Sequence, residues 1–131
     1  MDFEIANECV ALSLAGKITF PEVVQRLAAA GAERYIVDLV GLKKITFGVN
    51  GSSHYNDFPL QNPPPVSKDF NASKIQQTIR DIQQQKINYV TFLERVMAAG
   101  CCHYEVYIDG RKAIYFGCSG DQHIENFPQA R

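Results

Sequence analysis

The second half of this chain repeats the first. Displacing the sequence by 69 positions lays Lys17–Pro59 on Lys86–Pro128 with no gap, and 17 of the 43 aligned pairs are identical. Average residue usage gives roughly two or three chance identities over such a length. The matched pairs include Lys17/Lys86, Arg26/Arg95, Gly31/Gly100, Tyr35/Tyr104, Val37/Val106, Ile45/Ile114 and Phe47/Phe116. They also include the frame Gly-x-x-Gly-x-x-His, once at Gly48–His54 and again at Gly117–His123. The match indicates internal duplication, so the chain is expected to fold as two like units around a shared core.

Each copy reads as helix, helix, hairpin. Thr19-Phe-Pro-Glu22 is a capping box with proline inside the first turn, and Gly31 sits where a helix-ending glycine belongs. Val23, Val24, Leu27 and Ala30 make one helical face, matched by Phe92, Leu93, Val96 and Ala99. Upstream, Ile5, Cys9 and Leu12, and again Ile75, Ile79 and Ile82, mark a further helix. Alternation at Tyr104, Val106 and Ile108, then Asp109-Gly110, then Ile114 and Phe116, reads as a hairpin. A two-residue turn would pair Ile108 with Arg111 and send Ile114 and Phe116 to the face opposite Val106. One added residue pairs Val106 with Ile114 and Tyr104 with Phe116, leaving one face apolar throughout, and is the expected register. The expected fold is α+β: a four-stranded antiparallel sheet with the helices on one face. One domain spans residues 1–131, with repeat 1 at about 1–59, a Pro-rich linker at about 60–70 and repeat 2 at about 71–128.

Composition removes several classes of function. With 46% hydrophobic and 21% charged residues, the chain is globular rather than disordered. A net charge of −1 gives no field to hold a nucleic-acid backbone. No apolar run reaches the ~18 residues of a membrane span. The opening MDFEIANECV lacks a signal peptide's basic start and apolar stretch, so a cytoplasmic setting with reduced thiols is expected.

Four groups of residues could carry chemistry. His54 and His123 follow the repeated glycines, and each is expected to fix its own loop by a hydrogen bond. The alternative is a metal-binding or hydrolytic site using His123 with His54 or a cysteine. No third ligand recurs beside both histidines, and no metal or cofactor is expected. Cys101-Cys102-His103 approaches Cys118 in the expected register, which buries Cys102 against Cys118 as free thiols. Lys43-Lys44 and Arg111-Lys112 fall at the hairpin tips as solvated basic pairs. The outer sheet face then shows His103, Glu105, Tyr107, Arg111, Ala113 and Tyr115, with Arg34, Ile36, Asp38, Leu42, Lys44 and Thr46 from the first copy. Tyrosine mixed with charge and scattered aliphatics suits a protein interface.

The stretch YVTFLERVMAAGCCHYEVYIDGRKAIYFGCSGDQHIENFP, with AAAGAERYIVDLV and FGVNGSSH before it, resembles the YdfO-like family of small proteins. Many of these are prophage-encoded, often labelled phage envelope proteins, and formally of unknown function. The resemblance implies an α+β fold and a link to mobile elements, and brings no catalytic residues. Together these readings give a non-enzymatic, phage-associated accessory protein. It is expected to bind a protein partner or a second copy of itself through His103, Glu105, Tyr107, Arg111, Tyr115, Arg34 and Asp38.

Overall fold

Local signals start the helices. Asp2 caps α1 (Phe3–Leu14) by accepting from the Glu4 N–H, and the Thr19–Glu22 box opens α2 (Phe20–Ala29). Asn71 and Asn88 cap α3 (Ala72–Gln83) and α4 (Tyr89–Ala98) in the same way. The strands are β1 (Ala32–Asp38), β2 (Lys43–Gly48), β3 (Ser53–Asp57), β4 (Cys101–Tyr107), β5 (Lys112–Gly117) and β6 (Gln122–Asn126) in this computed structural model, which describes residues 1–128. Two helices followed by three strands thus occur in residues 3–57 and again in residues 72–126. No helix among the described residues is long and apolar enough to cross a membrane.

Among the described residues the sheet has six strands, not four, in the order β3-β2-β1-β4-β5-β6, and every neighbouring pair is antiparallel. The additional strands, β3 and β6, come from the glycine–histidine frames. Each frame is a four-residue hairpin turn, not a loop leaving the sheet. Gly48 donates to the Ser52 carbonyl at 2.8 Å, and Gly51 turns the chain at φ +84°. Gly117 donates to Asp121 at 2.8 Å, and Gly120 lies at φ +89°. Both histidines then fall inside a strand.

The hairpin register also differs from the expected one. Val106 pairs with Ala113, Tyr104 with Tyr115 and Glu105 with Ile114. The loop closes over Ile108–Arg111, with Arg111 in the left-handed region at φ +55° and Leu42 likewise in the first half. The core face therefore carries Tyr35, Val37, Lys44 and Thr46 from the first half. The second half gives Tyr104, Val106, Ala113 and Tyr115. Ile45, Phe47, Ile114 and Phe116 point outward. The turn sets this parity: closing over Ile108–Arg111 pairs Tyr107 with Lys112, and the two-residue period then carries Ala113 and Tyr115 to the face of Val106 and Ile114 and Phe116 to the other.

Helices α1 to α4 pack on that inner face, with Leu27, Ile75, Ile79, Phe92, Leu93 and Val96 filling the layer between. Burial of such side chains supplies roughly 1.5–3 kcal/mol each. The seam between halves is the β1–β4 pair. One residue bulges from each seam strand, Glu33 and Cys102, and their carbonyls accept from Ile108 at 3.0 Å and Leu39 at 2.9 Å. The Pro-rich segment crosses from half to half close to Gly100, where a Cβ would meet the Asp69 carbonyl oxygen at 2.3 Å.

Candidate functional site

Period-two geometry sorts the sheet's outer face into rows. The middle row runs Tyr55, Ile45, Ile36, Glu105, Ile114, Ile124 across all six strands. Tyr55 is 65% and Ile124 50% exposed. One flanking row holds Phe47, Arg34, Tyr107 and Lys112, and the other holds Asp57, Lys43, Asp38, His103 and Phe116. Arg34 lies over the Phe47 ring at 3.9 Å, and His103 stacks on Phe116 at 4.5 Å. The Tyr107 hydroxyl donates to Glu105, which raises its pKa, and Glu105 also lies 3.4 Å from His103. Lys43 pairs with Asp57. Of the expected face, Arg34, Asp38, His103, Glu105 and Tyr107 lie together. Tyr115 does not: it is 6% exposed and in the core. Arg111 stands at the turn, where its guanidinium donates to the Pro128 carbonyl at 2.8 Å. Ala113, Lys44 and Thr46 are also buried rather than outward.

The two histidines occupy the outermost strands. Five strand spacings separate β3 from β6, roughly 24 Å, so His54 and His123 cannot share a metal. His54 Nε2 lies 2.8 Å from Asn7 Oδ1 on α1, which also accepts from Asn56 at 2.7 Å. Phe3 stacks on the His54 ring at 4.6 Å. The contact ties an edge strand to a helix instead of closing a loop. His123 Nε2 lies 3.8 Å from Glu125 Oε2, and both atoms are buried without a hydrogen-bond partner among the described residues. Glu125 Oε1 accepts from Arg80 at 2.9 Å.

The bulge rearranges the cysteines. Cys101, not Cys102, is the buried one, and its thiol is pushed up to about 12 by burial. Cys102 is half-buried, near exposed Cys118 and 3.4 Å from His103 Nδ1. All four thiols are free, and no group of three metal-ligating side chains occurs among the described residues.

A cleft of about 900 Å³ separates sheet from helices. Its lips are the two helix–helix turns, around Gly16–Glu22 and Gln83–Tyr89, and its floor carries Tyr35, Lys44, Tyr104, Tyr115 and Glu125. Tyr89 and Tyr104 share a hydrogen bond between their hydroxyls. Burial raises the pKa of Tyr35, Tyr89, Tyr104 and Tyr115, and each acts on one or more of the others. Lys44 Nζ lies over the Tyr35 ring at 4.2 Å, and burial lowers its pKa to about 8. The residue is 3% exposed and has no anionic partner among the described residues. Sequence reasoning placed Lys44 at a solvated tip and missed the cleft. The two-residue register is the one that sets Lys44 on the face of Val37 and Tyr115 on that of Tyr104.

No curated protein matches the chain. The model of a family described as a protein of unknown function, DUF1398, matches residues 49–126, more than half of the 131. The chain belongs to that family.

Proposed function

We propose that this DUF1398 member is an interaction module that pairs with a second copy of itself through the outer face of its sheet. The observation that carries the reading is the middle row, apolar at five of six positions and flanked by charge. Apolar centre and polar rim are the anatomy of an interface. The face is roughly 29 Å wide at ~4.8 Å per strand, and a stable pair needs about 800 Å² from each partner. A face-to-face pair would use nearly all of it.

Charge favours a second copy as the occupant. A two-fold axis parallel to the strands lays β1 over β4 of the other copy. Asp38 then meets His103, Arg34 meets Tyr107, and Phe47 meets Lys112. Ile36 covers Glu105 and Ile45 covers Ile114, so no two like charges are stacked. The halves are taken as copies of one duplicated unit, and a prophage-borne accessory role in the cytoplasm is part of the same proposal. That setting rests on the YdfO-like stretch from Tyr89 to Pro128. The arm of the hydrolytic or metal-binding alternative that joins His123 to His54 has less support, since the two lie on opposite edge strands of the sheet.

Sedimentation equilibrium tests the reading. The wild type is expected to be a dimer at micromolar concentration, and Ile45→Lys with Ile114→Lys a folded monomer. A monomeric wild type, or a doubly substituted protein that still dimerises, sinks it.

A further inference from the structure

We propose that the cleft between sheet and helices binds a flat aromatic carboxylate, its carboxylate held by Lys44 and by phenol hydroxyls of the floor. The site is separate from the outer sheet face, so either proposal can fail alone.

Three observations lead there. The first is a charge without a partner. Lys44 projects from β2 into the layer where a helix-covered core would otherwise be apolar, and among the described residues the Tyr35 ring face lies against its ammonium with no anionic partner beside it. A buried ion left unpaired is expensive, and an arriving anion would relieve that cost. With its pKa at about 8, the amine still carries its proton at neutral pH. Burial raises the pKa of Cys9, the one charge-bearing neighbour raising the Lys44 value, so that thiol supplies no counter-charge at pH 7.

The second is a convergence of donors. Tyr35, Tyr89, Tyr104 and Tyr115 all line the cleft, and their raised pKa values keep every hydroxyl protonated. A phenol donates one hydrogen bond, and one hydroxyl of the Tyr89–Tyr104 pair spends its proton on the other, so three donors remain for a ligand; bonds to an ionised acceptor are the strong ones. Donors that share a cleft with an ammonium favour an oxyanion over a neutral group. Glu125, on the far side of the floor, is already engaged by Arg80 and does not compete for Lys44.

The third is shape. About 900 Å³ lies within the range for small-molecule sites, which are mostly apolar with a few fixed polar groups. Phe58, Phe92, Ile79, Ile82 and Phe127 provide apolar walls. Flat rings match walls of this kind, since aromatic side chains stack or meet edge to face. The two halves differ at the decisive point: Lys44 of β2 corresponds to Ala113 of β5, both on the floor. One side of the cleft is therefore cationic, and a ligand with one anionic end is held in one direction.

The test is titration of the ¹⁵N-labelled full chain with benzoate, trans-cinnamate and 2-naphthoate, each beside its neutral carboxamide. At least one carboxylate is expected to shift the amides of Tyr35, Lys44, Tyr89, Tyr104 and Tyr115 saturably. It should bind at least about tenfold tighter than its carboxamide, as one charge-assisted contact permits. Lys44→Met should remove that preference while leaving carboxamide binding and the rest of the spectrum in place. Lys44→Arg, which keeps the charge, should retain part of it. Four results overturn the proposal: no saturable shift with any of the three carboxylates, equal binding of acid and amide, shifts confined to the outer face, or a Lys44→Met protein that keeps the preference.

Discussion

Replacing Lys44 by methionine should make the unliganded protein more stable. The amine falls from its ordinary pKa of 10.5 to about 8, with burial as the main cause. At 1.36 kcal/mol per pH unit, that difference means burying the charge costs about 3 kcal/mol. A folded-state pKa of about 8 already nets whatever favours the charged form, the contact with the Tyr35 ring included. Methionine has similar length, no charge and an adaptable thioether. The net expectation at pH 7 is a gain of about 3 kcal/mol, read as a higher urea midpoint at unchanged slope. The pH dependence gives a second check. The folded pKa is depressed, so the folded state binds fewer protons than the unfolded state between about 8 and 10.5, and wild-type stability from this group rises across that window. The advantage of Lys44→Met should shrink over the same range and vanish above it. Other groups titrate equally in both proteins and cancel in the difference. A variant that is less stable at pH 7, or an advantage that persists unchanged at pH 10.5, refutes the claim of a desolvated ammonium.

Tyr115→Ser should cost about 3–5 kcal/mol as a truncation of a buried aromatic, whereas Tyr107→Ser, in the monomeric Ile45→Lys, Ile114→Lys background, should cost about 1 kcal/mol or less through the lost bond to Glu105; chemical denaturation of both separates core from surface. Cys101, pushed up to about 12, contributes stability that is intact below pH 9 and lost as pH rises from 9 to 12. Cys101→Ala should flatten that part of the pH–stability curve, and an unchanged slope speaks against a buried thiol. His54→Ala should cost about 1 kcal/mol through the lost bond to Asn7, and its effect should add to that of His123→Ala because the two lie at opposite sheet edges. Strong coupling in the double variant would contradict the placement of both strands.

What could be read in the sequence was mostly what is set locally. The Thr19–Glu22 box, the helix-ending Gly31 and Gly100, and the faces around Leu27 and Leu93 depend on neighbours within one turn, and they stand where expected. The third strands were not legible. Ser53–Asp57 and Gln122–Asn126 are edge strands whose inward positions are histidine, asparagine and glutamate, so no alternation of apolar and polar marks them. The register failed for a related reason. Ile114 and Phe116 read as core because they are apolar, but a half-exposed sheet face accepts apolar residues readily. Tyr115 and Lys44 read as outward because they carry polar atoms, although a cleft can receive those atoms. The errors fall where the inner face departs from an ordinary core, which is where the candidate binding site lies.

The β1–β4 seam has a consequence for how the chain finds its own other half. Equivalent strands face each other there, so either half could in principle pair with a duplicate of itself from another molecule. In the native seam Ile36 stands opposite Glu105. Were β4 to pair with a second β4 in the same geometry, two Glu105 carboxylates would stand directly opposite, which is repulsive. The second half is thereby steered away from swapping with its twin and toward β1. β1 has no such guard: pairing with another β1 sets Ile36 on Ile36 and Arg34 on Asp38. Exchange between molecules, if provoked, would begin from the first half.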